Sequence, residues 1–351
     1  MASTVAAFLE RKDIEVTFQR YAIDALSAMA QGLFASLLIG TILSTPCHSG
    51  RPFERLGMRG ARGAHSGTIG GRLRHREEMR EANPMNQRLA LHVLASGSRG
   101  NAAVVEDTAT GKGVLVDCGI CKRDFFARCD EAGFDPANLE AVLITHDHTD
   151  HTKGLGVVLR GLAKLGIEPA VFADDAVRAA SKEIIVLEGA CDLRAFSSGD
   201  ALSLAGMQVH AFRTSHDAAS SCGFRVEADG DAVGFMTDTG IVTGEADEAL
   251  RDVRILALES NHDVQMLKDG PYPYPVKRRV GSDTGHLSNV QAADELEALL
   301  SDALEQVVAM HISQNNNTYR LPGEALTAVV RRAGHPATVQ VAYQTMLVSA
   351  R

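Results

Sequence analysis

Ala141-Val142-Leu143-Ile144-Thr145-His146-Asp147-His148-Thr149-Asp150-His151 runs from four apolar residues straight into three histidines and two aspartates within six positions. The apolar run has the length and branching of a buried strand, so the polar cluster sits on the loop leaving its C-terminal end. His146 and His148 alternate with Asp150, and His151 follows at once. A tight loop can therefore aim two imidazoles at one cation and a carboxylate plus a third imidazole at a second. A polar surface turn is the plain alternative. The density of ligand types directly after a buried strand favours a two-metal site.

Composition narrows the setting. A chain of 351 residues suffices for one large domain or two ordinary ones. With 45% hydrophobic and 23% charged residues it reads as soluble and globular. The formal net charge of −9 is uneven: residues 1–84 carry 11 Lys+Arg against 8 Asp+Glu, and the remainder is strongly acidic at −12. An acidic body argues against non-specific coating of nucleic acid, yet allows a nucleic-acid substrate gripped by metal ions and a local basic patch. The six cysteines are scattered, and Cys118 and Cys121 form one CxxC without a second pair. A structural zinc site is therefore poorly supported, and reduced cytosolic thiols are expected. No cleavable signal peptide is apparent, so a cytoplasmic location is expected.

Residues 1–84 differ from the rest. Residues 1–48 read as an apolar helical extension, and residues 49–84, rich in Gly and Arg without apolar periodicity, as a disordered linker. Tyr21 to Leu43 has nearly the length of a membrane-spanning helix, with small residues such as Ala28, Gly32 and Ala35 suited to close packing in a bilayer. An amphipathic helix packed on a soluble partner is the other reading, and any membrane association is expected through this run alone. The stretch from Glu10-Arg11-Lys12 to Ile42-Leu43 resembles the opening of a bacterial membrane sugar-transporter subunit. Met79 or Met85 is a natural start, which makes a mis-assigned start or a fused fragment one reading of residues 1–84.

A globular hydrolase domain is expected over residues 85–351. Strands are predicted at 89–95, 102–106 and 113–117, a β-meander leading to a helix over 122–132. After the histidine loop come helices over 155–165 and 175–188 with a strand at 170–172 between them. A second β-rich block follows at 207–212, 223–227 and 232–237, then strands at 254–259, 306–311 and 338–343 and helices over 287–301 and 323–333. Two β-rich halves, each flanked by helices, predict an α+β, four-layer αββα sandwich. Later candidate ligands fall at strand ends: His216, Asp238 and His311. One Asp238 carboxylate can offer an oxygen to each of two metals, making it the natural bridge.

His146-x-His148-x-Asp150-His151, with His216, Asp238 and His311, resembles the metallo-β-lactamase superfamily. Residues 89–351 are more closely similar to its YycJ/WalJ-like branch, related to the RNase Z and RNase J nucleases. The carrying segments are Leu94–Asn101, Val116-Asp117-Cys118-Gly119, Thr214–Ala219, Glu259-Ser260-Asn261-His262-Asp263 and Gly285-His286-Leu287-Ser288-Asn289. The resemblance implies an αββα metallo-β-lactamase sandwich, a dinuclear zinc or manganese centre and phosphodiester hydrolysis with DNA as the substrate. By motif position, His146, His148 and His216 would hold one metal, and Asp150, His151 and His311 the other, bridged by Asp238.

Two close cations fit hydrolysis of a phosphate diester, because they acidify water and stabilise phosphate charge during in-line attack. Asp147 is a candidate to orient that water or to hold an imidazole. His286, in a turn opening a helix, is the candidate general acid, a helix-start residue without catalytic duty being the alternative. His262 supports the metal ligands from behind or touches substrate. Lys277-Arg278-Arg279, after the turn-rich 270–275 segment, could grip a phosphate backbone, with a solvated charge run on a loop as the alternative. His92, His210 and His335 stand outside any cluster and read as structural. A DNA-directed nuclease, in exonucleolytic 5′–3′ form or otherwise, is the leading reading. The alternatives are a thioester, lactone or amide hydrolase on the same centre and, from another class, a non-catalytic metal-binding regulator or membrane-tethered sensor.

Overall fold

A computed structural model of the chain describes residues 87–351. The helical extension, the Gly/Arg-rich linker, the membrane-length run and the transporter-like opening expected within residues 1–84 lie outside the described residues.

Two mixed sheets form the body. In the first, β1 (Leu89–Ala95), β2 (Ala102–Asp107) and β3 (Lys112–Val116) make the expected antiparallel meander. β3 then pairs in parallel with β4 (Leu139–Leu143), which continues to β5 (Ala170–Ala173) and β6 (Leu193–Ala195). In the second sheet β7 (Ala201–Leu204), β8 (Met207–Arg213), β9 (Cys222–Ala228) and β10 (Asp231–Met236) are antiparallel. From β10 the order continues in parallel through β11 (Ile255–Glu259), β12 (Gln306–Met310) and β13 (Thr338–Val341). The last strand, β14 (Val348–Ala350), returns to the first sheet and pairs with β1.

The layering follows from side-chain alternation along the strands. In β4, Ala141 and Leu143 face the second sheet while Val142 faces helices. In β11, Ile255 and Ala257 face the first sheet while Leu256 and Leu258 face helices. Both faces of each sheet are therefore buried, which is why the strands read as continuous apolar runs. The outer layers are α1 (Lys122–Ala132), the short α2 (Thr149–Thr152) and α3 (Leu155–Ala163) on one side, with α4 (Asp175–Ala180) and α5 (Lys182–Ile185). The other side carries α6 (Gly244–Ala249), α7 (Val264–Asp269), α8 (Tyr274–Val280), α9 (Asn289–Leu299) and α10 (Arg320–Arg332). The result is the predicted α+β four-layer sandwich. No helix among the described residues is long and apolar enough to cross a membrane.

A buried ionic clasp joins the sheets. Asp231 of β10 accepts from the Leu89 amide at 2.8 Å, and Arg254 donates to Asp231 Oδ1 at 2.8 Å and to the Leu89 carbonyl at 2.6 Å. The start of β1 is thus tied to the second sheet.

Two local expectations are corrected. The single helix predicted over 175–188 is broken at Ser181, whose backbone is extended (φ −77°, ψ 114°) and whose hydroxyl accepts from the Ile184 amide to cap α5. The Lys277-Arg278-Arg279 run lies in α8 rather than on a loop. Of the prolines that read as turn residues, Pro273 is the N-cap and Pro275 lies in the first helical turn, where the missing N–H costs nothing.

Candidate metal centre

The polar loops gather at one edge. β1, β3, β4, β8, β10, β11 and β12 all point their C-terminal ends to the same side, where loops beyond parallel strands commonly build sites. Three residues in these loops, Asp117, Asp238 and His311, adopt positive φ of 59°, 54° and 53° without being glycine. Such left-handed conformations are disfavoured for residues with a Cβ and persist only where the surroundings impose them.

The seven predicted ligands converge. Ligand atoms of His146, His148 and His216 lie within 4.8 Å of one another, and so do those of Asp150, His151 and His311. Asp238 stands between the two groups: Oδ1 is 3.7 Å from His216 Nε2, and Oδ2 is 3.3 Å from His151 Nε2. Three of the imidazoles are oriented through Nδ1. His151 Nδ1 meets Asp117 at 2.7 Å, His216 Nδ1 donates to the Gly285 carbonyl at 2.8 Å, and His146 Nδ1 lies 2.9 Å from the Thr145 hydroxyl. Such partners fix the ring and leave Nε2 facing inward. His148 instead turns Nε2 to the Asp217 carbonyl and Nδ1 to His216. Burial holds the His146 imidazole well below its ordinary pKa, so it is a neutral donor. Burial alone would raise the Asp150 and Asp238 carboxyls, but neighbouring His151 and His311 outweigh it; Asp150 falls to about 2 and Asp238 well below its ordinary value.

The remaining candidates separate. His286 reaches the centre, with Nδ1 2.7 Å from Glu259 Oε1 and 3.7 Å from Asp238 Oδ1. Only Arg279 of the basic run lines the cavity, alongside Val276 and Val280, and it is paired with Asp217. Lys277 donates to the Lys268 carbonyl on the helix exterior, and Arg278 is exposed. Asp147 is not brought to the cluster: its carboxylate accepts from the Ala219 amide at 2.8 Å and ties down the loop that carries His216. His262 is buried behind the site, where burial lowers its pKa to about 4, and its Nδ1 has no hydrogen-bond partner among the described residues. His92 is held by Glu106 and Ser349, far along the strands, as a satisfied core histidine.

Two carboxylates escaped the sequence reading. Glu259 ends β11 fully buried, accepting from the amides of Thr239 and Leu287 as well as facing His286 and His311. Burial pushes its carboxyl up, but His286 and His311 more than reverse this and bring it to about 2. Asp117 is the partner of His151. Each ends an apolar strand inside a segment that carried the resemblance, which was the available signal.

A family model described as a beta-lactamase superfamily domain matches residues 112–312, which hold all seven converging residues. The chain belongs to the metallo-β-lactamase superfamily. It is 32% identical over 248 residues to the exodeoxyribonuclease YycJ of Bacillus anthracis, covering 70% of this chain and 91% of that protein. It is also 32% identical over 232 residues to the exodeoxyribonuclease WalJ of Streptococcus pneumoniae, covering 65% of this chain and 83% of that one. Among solved structures, the metallo-β-lactamase fold protein YhfI of Bacillus subtilis aligns with a TM-score of 0.56 at 14% identity, over 75% of this chain and 99% of that one. That likeness confirms the sandwich.

Membership in the metallo-β-lactamase superfamily implies a hydrolase dependent on divalent metal ions, usually two. The residues fit such ions. His146 Nε2 and His311 Nε2 are buried atoms without a hydrogen-bond partner among the described residues, and both are ordinary metal donors. An uncompensated buried polar atom costs about 1–3 kcal/mol, which a coordinated cation would remove.

Proposed function

We propose that this metallo-β-lactamase superfamily member is a metal-dependent exodeoxyribonuclease. In this reading His146, His148 and His216 hold one zinc or manganese ion, and Asp150, His151 and His311 hold a second, with Asp238 between them. The observation that carries the reading is the Glu259–His286 pair: a proton donor at 2.7 Å from a buried carboxylate, placed in the cavity that the ligand groups line. The names and coverage of the YycJ and WalJ relatives support DNA as the substrate.

When bound, the two cations would supply Lewis-acid chemistry, acidifying water and neutralising phosphate charge. The chain's own residues do the rest. Glu259 engages His286 Nδ1 and so leaves Nε2 as the nitrogen that passes a proton to the departing oxygen. Arg279 faces the cavity and can move from Asp217 to a phosphate oxygen, with bidentate geometry suited to it. Asp147 and Thr145 position the His216 loop and the His146 ring.

The test is degradation of end-labelled duplex DNA by the full-length chain with added manganese or zinc. Stepwise release from an end is expected, with His286→Ala lower by about 10²–10⁴-fold, the usual contribution of a positioned proton donor. A protein shown to carry two metals that cleaves no DNA but turns over a thioester, lactone or amide would overturn the reading.

A further inference from the structure

A second cavity adjoins the metal centre. Its volume is about 430 Å³, and its walls include Arg99, Gln314, Thr318, Tyr319, Gln344 and Thr345. Small-ligand sites commonly span about 300–1,000 Å³. No residue lines both cavities, but consecutive residues of two loops do: Ser98 lines the centre and Arg99 the second cavity, while His311 lines the centre and Ile312 the second. A nucleic-acid strand with one phosphate at the centre can therefore place its neighbouring nucleotide here.

The wall is built rather than incidental. Buried Gln344 accepts from the Arg99 amide at 2.9 Å and donates to the Gly100 carbonyl at 2.8 Å. The Tyr319 hydroxyl accepts from the Gln344 amide at 3.2 Å, and the Tyr319 and Tyr343 rings lie 4.6 Å apart. Lys153 Nζ donates to the Arg99 carbonyl at 3.0 Å, bringing a second cation to the same turn. These contacts fix the backbone on both sides of Arg99. Its guanidinium, by contrast, makes no ion pair or hydrogen bond among the described residues, whereas the cation across the centre, Arg279, is paired with Asp217. An unengaged guanidinium beside a phosphodiester site, in a strongly acidic body, is a phosphate receptor by its chemistry.

The geometry points to this cavity as the subsite for the nucleotide next to the cleaved bond, with Arg99 on that nucleotide's phosphate and Tyr319 beside its base. Recognition by one cation, an aromatic ring and neutral polar groups reads backbone charge and the base's flat face, which every nucleotide presents. Cleavage without base preference is the consequence. The inference rests on the nuclease reading for the identity of its ligand and on the cavity for its place.

The test is titration calorimetry of the full-length metal-loaded protein with a deoxynucleoside 5′-monophosphate, beside hydrolysis of bis(p-nitrophenyl) phosphate, a small diester that needs only the centre. Arg99→Ala should weaken nucleotide binding by about tenfold or more, equivalent to about 1.4 kcal/mol, while diester hydrolysis stays within about twofold. Arg99→Lys should recover part of the binding, and Thr345→Trp, an exposed position on the cavity wall, should block it by filling the space. Saturable binding that Arg99→Ala and Thr345→Trp leave unchanged overturns the subsite, as does an equal loss of diester hydrolysis in Arg99→Ala. Diester hydrolysis without any nucleotide binding by the wild type sinks the subsite alone. Absence of both activities sinks the subsite and the nuclease reading together.

Discussion

Glu259 grips His286 from beneath: one carboxylate oxygen lies 2.7 Å from its Nδ1, and the other accepts the Thr239 amide at 2.9 Å from the loop that carries Asp238. A single buried carboxylate therefore ties His286 to the loop of Asp238, the residue that stands between the two ligand groups. Because Glu259 acts through His286, Glu259→Gln should lower kcat by about 10–100-fold, the usual effect of losing such an orienting partner. Because Glu259 also lies 3.2 Å from His311 Nδ1, metal content measured by mass spectrometry separates the two routes: unchanged content assigns the loss to His286. Combined with His286→Ala it should add little further loss, since the two act as one unit. Additive losses in the double variant would remove the coupling.

Asp117 orients His151 in the same manner. Asp117→Asn keeps the shape but weakens the acceptor, and metal affinity measured by chelator competition should fall by about 10–100-fold. Unaltered affinity would mean that the His151 ring is held by packing alone.

A backbone contact protects the ligand loop. A Cβ on Gly119 would lie 1.6 Å from the Asp150 carbonyl oxygen, so Gly119→Ala must displace the loop holding Asp150 and His151. Reduced metal occupancy is expected from a variant that changes no ligand. Full occupancy, with wild-type thermal stability, would show that the loop can move aside.

The Asp231–Arg254 clasp is nearly solvent-free, at 2% and 6% exposure. Asp231→Ala strands a buried cation and should cost about 3–5 kcal/mol in urea unfolding, the usual result of removing one partner of a buried pair.

Glu295 on α9 gives a pH signature away from the centre. Burial, then Asp247, raises its carboxyl from 4.5 to about 7, partly offset by Arg251. Between those values the folded chain binds more protons than the unfolded one, so this residue's contribution is present below pH 4.5 and is lost as pH rises through 7. Melting temperatures of Glu295→Gln should lose that part of the decline between pH 5 and 8. A variant whose melting profile parallels the wild type would refute the assignment.

The strands were legible because both faces of each sheet are buried, which writes them as apolar runs; β1 and α1 fall on the ranges expected, Leu89–Ala95 and Lys122–Ala132. The edge strands β6, β7 and β14 are short and partly exposed, and carry no such signal. The ligands showed because four of them crowd into six residues. Glu259 did not, since its meaning depends on a histidine far along the chain and on a fold that stacks the two. Arg279 could not be told from Lys277 and Arg278 until α8 set which of them faces the cavity. Asp147 misled by position, as its carboxylate turns away to the Ala219 amide.

Each ligand group draws from both halves of the sandwich. The first sheet's loops bring His146 and His148 to meet His216 of the second, and Asp150 and His151 to meet His311. The second half also gathers Asp238, Glu259, His286 and His311 by itself, so the groups completed across the seam are those that His146 with His148, and Asp150 with His151, enter. An ion held by either of these mixed groups would act as a rivet through the seam. Loading would then fasten the two halves to each other, and a chelator added to the loaded protein should lower the melting temperature of the whole body.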